Sequence, residues 1–325
     1  MTKRSIFLAM VAAALLVPST DAAASVFKKK KNKKAQTEAA AEPKPAPKKK
    51  QTPYQKLMKE VVDSACGGTF NLYRTSKDKI YMGYPKNMMG RRMLVGSTIT
   101  ATSNPSYVNV GNKYVKPTYF QIDLADSLVV LTVPGANATS SDSQMQTALE
   151  RSYIPKVLRR IAVQATSKDS SEVIFDVTSL ISSVAPKGPN FSLTKAADEK
   201  STWFGGLKAF GDNASVKVHS NVDFTRTFLL MKGKVGSGSL SYTVSFLLLP
   251  ERPMPARVQD SRIGVFPVGP GEGSVKYNLT SSEDGFKGYV LASRWRLELF
   301  DTTAWKNGQK VTVRNPIVWY VDNSF

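Results

Sequence analysis

The side chains most often recruited for nucleophilic and metal chemistry are imidazole and thiol, and this chain carries one of each, His219 and Cys66. A Ser-His-Asp or Cys-His arrangement needs an imidazole poised beside its nucleophile. His219 lies instead in Val216-Lys217-Val218-His219-Ser220, a strand-like alternation without a nucleophile elbow. It reads as a polar residue on one face of a strand. Cys66 stands next to Gly67 and reads as a small buried residue. Zinc sites recruit several His or Cys ligands. One of each cannot build a His-rich site, and no H-E-x-x-H occurs in the sequence. No catalytic, cofactor-binding or metal-ligating residue is assigned.

Other chemistries are equally thin. Asp123, Asp126, Glu298 and Asp301 are carboxylates with no spacing that singles them out for paired acid–base work. The runs Gly233-Lys234-Val235-Gly236-Ser237-Gly238 and Gly269-Pro270-Gly271-Glu272-Gly273 lack P-loop spacing and read as hairpin turns. Arg294-Trp295-Arg296 puts basic residues around an aromatic, which can stack on bases or sugars. At strand spacing, though, Trp295 faces the core and both arginines face outward.

The elements that must position these residues are mostly strands. A short helix is expected over Tyr54–Ser64, with Leu57, Val61 and Val62 on one face. Period-two runs follow at Thr69–Arg74 and Lys79–Tyr84, around the polar turn Ser76-Lys77-Asp78, and again at Met93–Thr100. Hairpins are expected at Tyr119–Leu124 with Leu128–Val133, at Val157–Thr166 with Glu172–Val177, and at Phe224–Met231 with Leu240–Leu249. The last would turn at its glycines. Gln144–Arg151 suits a helix, and Tyr289–Phe300 and Val311–Val321 suit strands. The fold class is therefore mainly β: an antiparallel β-rich sandwich or open barrel with a small N-terminal α+β module.

Domain organisation follows from composition. Lys3 and Arg4, the apolar run Ile6–Val17 and the small residues Ala22-Ala23-Ala24 match a cleavable signal peptide over 1–24. The apolar run is shorter than the roughly 20 residues a bilayer span needs, so no membrane span is expected after cleavage. The product is expected to be exported: periplasmic, cell-surface or extracellular. Residues 25–52 bury almost nothing and read as a disordered linker. Between 28 and 50, ten lysines face only Glu38 and Glu42, a net of +8 out of the chain's +20. This stretch is a spacer, or a tether that touches anionic surfaces. A single cysteine excludes intrachain disulfides. Beyond the linker, 53–105 forms the small module, 106–310 the β-rich domain, and 311–325 a further strand.

Four segments resemble a family of exported bacterial zinc-dependent metalloproteases. They are Leu247-Leu248-Leu249-Pro250-Glu251-Arg252-Pro253-Met254, the stretch Ala256–Phe266, Arg294-Trp295-Arg296-Leu297-Glu298, and Asn315–Asp322. Tyr54–Ser97 is similar to the first of that family's two non-catalytic domains of unassigned function, and Ile174–Thr178 falls in the second. The resemblance implies that a metzincin-type catalytic domain follows, with zinc bound there and no cofactor in this chain. Residues 311–325 would then be the first strand of that missing domain. The implied role is to position or restrain the protease or assist its substrate binding. The implied partner is a catalytic domain, own or separate, and Cys66 is a candidate cap for its metal. The alternative is a stand-alone exported β-rich module that binds a polysaccharide, a peptide or an envelope partner. Nucleic acid is not expected as a partner.

Overall fold

The computed structural model describes residues 51–133, 138–194, 201–228, 231–260, 262–264, 266, 275–279, 286–319 and 321. The expected leader, most of the linker and the Gly269–Gly273 turn lie outside them. Thr52 opens the first element. Its hydroxyl accepts from the Gln55 amide while the Gln55 side chain accepts from the Thr52 amide, a reciprocal cap that starts helix α1 (Pro53–Glu60). The helix is shorter than its apolar face suggests. β-branched Val61 and Val62 lose side-chain freedom in a helix and begin strand β1 (Val61–Ala65) instead.

Strands β2 (Asn71–Thr75), β3 (Ile80–Pro85), β4 (Arg92–Thr102), β5 (Thr118–Ala125) and β6 (Leu128–Val133) follow. Next come β7 (Ala138–Ser140), helix α2 (Ser143–Ser152), β8 (Lys156–Thr166), β9 (Glu172–Asp176), helix α3 (Thr178–Ser183) and β10 (Phe191–Leu193). The chain continues with β11 (Thr202–Ala209), β12 (Asn213–Phe228), β13 (Met231–Leu248), β14 (Val275–Leu279), β15 (Phe286–Val290) and helix α4 (Thr302–Lys306).

Twelve of these strands form one antiparallel sheet in the order β1-β2-β3-β9-β8-β6-β5-β4-β13-β12-β10, with β11 also on β12. Alternation decides its faces. Along β12, Ala214, Val216, Val218, Ser220, Val222 and Phe224 are buried, and the residues between them are not. The sheet curls into an open barrel around one apolar core. That core joins Phe70 and Leu72 of the first strands to Val244 and Phe246 of β13, and takes in Leu180 and Ile181 of α3. Each fully buried large apolar side chain there contributes roughly 1.5–3 kcal/mol. The two ends of the sheet approach each other: the Thr69 amide donates to the Phe210 carbonyl at 3.1 Å, and an Arg74 guanidinium nitrogen donates to the Phe204 carbonyl at 2.6 Å. Outside the barrel, Tyr54, Leu57 and Met58 of α1 pack on Tyr73, Tyr81, Ala165 and Ile174.

β14 is flanked by β15 and, in parallel, by β7. Among the described residues, the strands expected at Tyr289–Phe300 and Val311–Val321 form only at Tyr289 and Val290, in β15. Among the described residues beyond β15, the strand pairing is two isolated bridges, Leu291 with Val258 and Leu299 with Val313.

The third hairpin also departs from expectation. Its paired strands close at Phe228 and Met231, and Gly233, Gly236 and Gly238 lie inside β13. At Gly238 an added Cβ would meet Ser103 Oγ at 2.1 Å and the Phe224 ring at 2.7 Å. Glycine there makes room for a neighbour and does not turn the chain.

Candidate functional site

His219 sits on β12 facing away from the core, as its alternation predicts. Its ring stacks on Trp203 of β11, centroids 5.4 Å apart and planes 18° from parallel. His219 Nδ1 and Ser241 Oγ share a hydrogen bond of 2.8 Å. Gly205 lies under the ring edge, where a Cβ would come within 3.0 Å of Nε2. Partial burial, and then the charge of Lys217, hold the imidazole pKa below its usual value. Paired positions extend a polar surface from this stack: Lys217 lies opposite Thr243, Asn221 opposite Ser239, and Thr243 opposite Thr98. The imidazole thus has a hydroxyl on one side and an indole on its face. Nδ1 and the hydroxyl occupy each other.

Cys66 is exposed, contrary to its expected burial. It follows β1, where the chain turns through Gly67 at φ +95° before re-entering the core at Phe70. Burial, then Cys66, Glu172 and Tyr54, push the Tyr73 pKa up. Glu172 is held by Asn71, whose amide donates to both carboxylate oxygens at 2.9 and 3.0 Å. Its neighbour Gly83 leaves room, since a Cβ there would lie 2.7 Å from one of those oxygens. Tyr54, Asn71, Tyr73, Lys168, Asp169 and Glu172 line a shallow groove of about 550 Å³. Sequence reasoning missed this groove because its members come from four separate elements.

A wider cleft of about 650 Å³ opens where the chain leaves β13, between Arg91, Arg92, Tyr119, Gln121, Leu249 and Glu251. The Arg91 guanidinium donates to the Leu249 carbonyl at 3.0 Å and so fixes one wall.

The four carboxylates do local work. Asp123 accepts from Gln121 at 3.0 Å, and Asp126 sits in the β5–β6 turn at φ +55°. Glu298 accepts from Arg296 at 2.9 Å, and Asp301 caps α4 through the amides of Thr303 and Ala304. Among the described residues, no group of three or more His, Cys, Asp or Glu side chains converges as a metal site. His219 and Cys66 stand on different elements with different partners, so they do not fit a shared zinc ion.

Arg294-Trp295-Arg296 is not strand, and Trp295 is 61 % exposed. Pairing explains the change. The 291–300 segment finds only sparse bonds to 312–314, through Phe300 to Thr312 and Arg314 to Glu298. Without a full ladder there is no buried face to receive the indole. Trp295 lies 6.2 Å from Trp319, which is 76 % exposed. Leu297, Phe300, Trp305, Ile317 and Val318 are exposed on the same segments.

Two family models match the chain. A domain of unknown function, DUF5118, matches residues 51–102. A second domain of unknown function, DUF5117, matches residues 86–299, more than half of the sequence. The chain belongs to the DUF5117 family. No curated protein and no solved structure matches it. In this DUF5117 chain the two matches overlap on β4 and the short 3-10 turn before it, Lys86–Met88. They also share one sheet, because β3 of the first match pairs with β9 of the second. The Trp203–His219 stack, the 650 Å³ cleft and Trp295 all fall within the DUF5117 match.

Proposed function

We propose that this chain is the non-catalytic part of an exported zinc-dependent metalloprotease, and that it positions or restrains a metzincin-type catalytic domain. The observation that carries this reading is the apolar surface of the 291–321 segments. Trp295, Phe300, Trp305, Val318 and Trp319 are each more than half exposed. Soluble surfaces rarely leave so many large apolar groups uncovered in one region, and such regions mark interfaces. Trp and Arg are the residue types that most often anchor them, and Arg294 and Arg296 flank Trp295. The resemblance of the 247–322 segments to metalloprotease sequence supplies the partner. Zinc belongs to that partner in this reading.

The test starts with the DNA that follows codon 325. The expected finding is an H-E-x-x-H motif, in frame or frameshifted, within a few hundred codons. The protein it encodes should co-purify with this chain, and Trp295→Ser with Trp319→Ser should abolish the complex. Absence of both motif and complex overturns the reading.

A second reading, an exported module that binds polysaccharide, is favoured by one observation. Trp203 is 41 % exposed and is held flat by His219 beside a surface of Ser, Thr and Asn side chains. Such a platform suits a sugar face. Glycan-array binding that is lost in Trp203→Ala would select this reading. No binding above background would remove it.

A further inference from the structure

Hairpin β12–β13 outruns the sheet that carries it. β13 pairs with β4 only from Leu240 to Leu248, and β10 leaves β12 at Phe224. Beyond that point Thr225 pairs with Lys234, Arg226 with Gly233, Thr227 with Lys232 and Phe228 with Met231. Among the described residues no other strand flanks this ribbon. At about 3.3 Å per residue, the four steps from Phe224 to Phe228 carry its end roughly 13 Å outward.

The ribbon ends in apolar residues. Phe228 is 78 % exposed and Met231 80 %. The sequence between them is Leu229-Leu230. Behind the tip stand Arg226, Lys232 and Lys234, all exposed. Among the described residues, the carboxylate that pairs with them is Asp223, on Lys234 at 2.7 Å. Arg226 and Lys232 have no acidic partner among the described residues. The two faces of the ribbon divide these cations. Arg226 shares a face with Phe228, and Lys232 and Lys234 lie opposite Thr227 and Thr225 on the other.

We propose that Phe228 and Met231, at the outer end of this ribbon, insert into the interface of an anionic lipid layer. The apolar end enters the acyl boundary, and the basic collar lies at phosphate level. A protein groove would be contacted from one side, whereas a collar on both faces matches a planar layer that surrounds the tip. Apolar burial and attraction to anionic headgroups then act together. The inference is independent of the protease reading.

The test must separate the tip from the lysine-rich 28–50 stretch, which attracts the same vesicles through screened charge alone. The full chain is used, with Met231→Cys in a Cys66→Ser background and an environment-sensitive dye on the introduced thiol. Phosphatidylglycerol–phosphatidylcholine vesicles should shift the dye to the blue and allow quenching by acyl-chain quenchers, with a weaker response on phosphatidylcholine alone. In the unlabelled chain, Phe228→Ser with Met231→Ser should lower vesicle binding at high salt by about tenfold or more, as expected when large apolar side chains lose their burial. Its unfolding temperature should stay near that of the unaltered chain. Vesicle binding that leaves the dye unshifted, or that falls only when the 28–50 lysines are neutralised, overturns the proposal. So does a dye response that requires a protein partner.

Discussion

Trp203 and His219 lie face to face across β11 and β12, and the imidazole is tied at its Nδ1 to Ser241. Burial and Lys217 depress the His219 pKa, so the folded protein resists protonating it. In the unfolded chain the value is about 6.5. The associated stability is therefore complete above about pH 6.5 and is lost as pH falls towards the lower folded value. Melting temperatures of the unaltered protein and His219→Gln, taken at about pH 7.5 and about pH 5.5, should show a smaller acid-induced drop in the variant. Equal drops would show that His219 carries no linked stability.

Barrel closure depends on one glycine. A Cβ on Gly68 would lie 2.3 Å from the Phe210 carbonyl oxygen and 2.7 Å from its amide nitrogen. Backbone cannot yield as a flexible side chain can. Gly68→Ala should cost about 2 kcal/mol, within the range of strain-inducing substitutions. Gly206→Ala, where nothing lies within 4 Å of the added carbon, is the control and should change stability little. Denaturant unfolding of the pair measures the difference.

Cys66 should react with a thiol-specific reagent in the native protein, without denaturant, because its side chain is exposed. Reaction confined to the unfolded state would restore the buried reading of this residue.

Alkaline titration provides a further check. Burial pushes the Tyr84 and Tyr242 phenols up to about 12. Their unfolded value is about 10. The linked stability is present below about pH 10 and is lost as pH rises through about 12. Phenolate absorbance should therefore lag for these two tyrosines and then rise together with loss of tertiary structure. Ionisation of every tyrosine near pH 10 with the fold intact would contradict this.

The hairpins were legible because local chemistry marks them. Asp78, Asp126 and Ser170 hold φ of +56°, +55° and +61° at polar turns between alternating runs. Strand order was not legible. Nothing in Met93–Thr100 indicates that its partner is Leu240–Leu248, because pairing depends on a curled sheet that no local window contains. Glycine misled at Gly238, where the constraint is a ring from another strand. Trp295 misled because alternation implies a buried face only when a neighbouring strand completes the sheet. The Tyr54–Tyr73–Glu172 groove had no signal at all, being assembled from distant segments.

The pairing of β4 with β13 also sets a timetable. Met93 must wait for Leu248 before its strand gains that neighbour, and Thr69 must wait for Phe210 before the barrel can close. At synthesis rates of about 5–20 residues per second, the first of these gaps lasts on the order of ten seconds. Long-range pairing of this kind is slow to nucleate. A growing chain therefore passes through an interval in which Met93, Val95 and Ile99 are made but their neighbours are not. An early-released or stalled chain would leave that strand edge open to other chains, and a holding chaperone would improve the yield of folded protein.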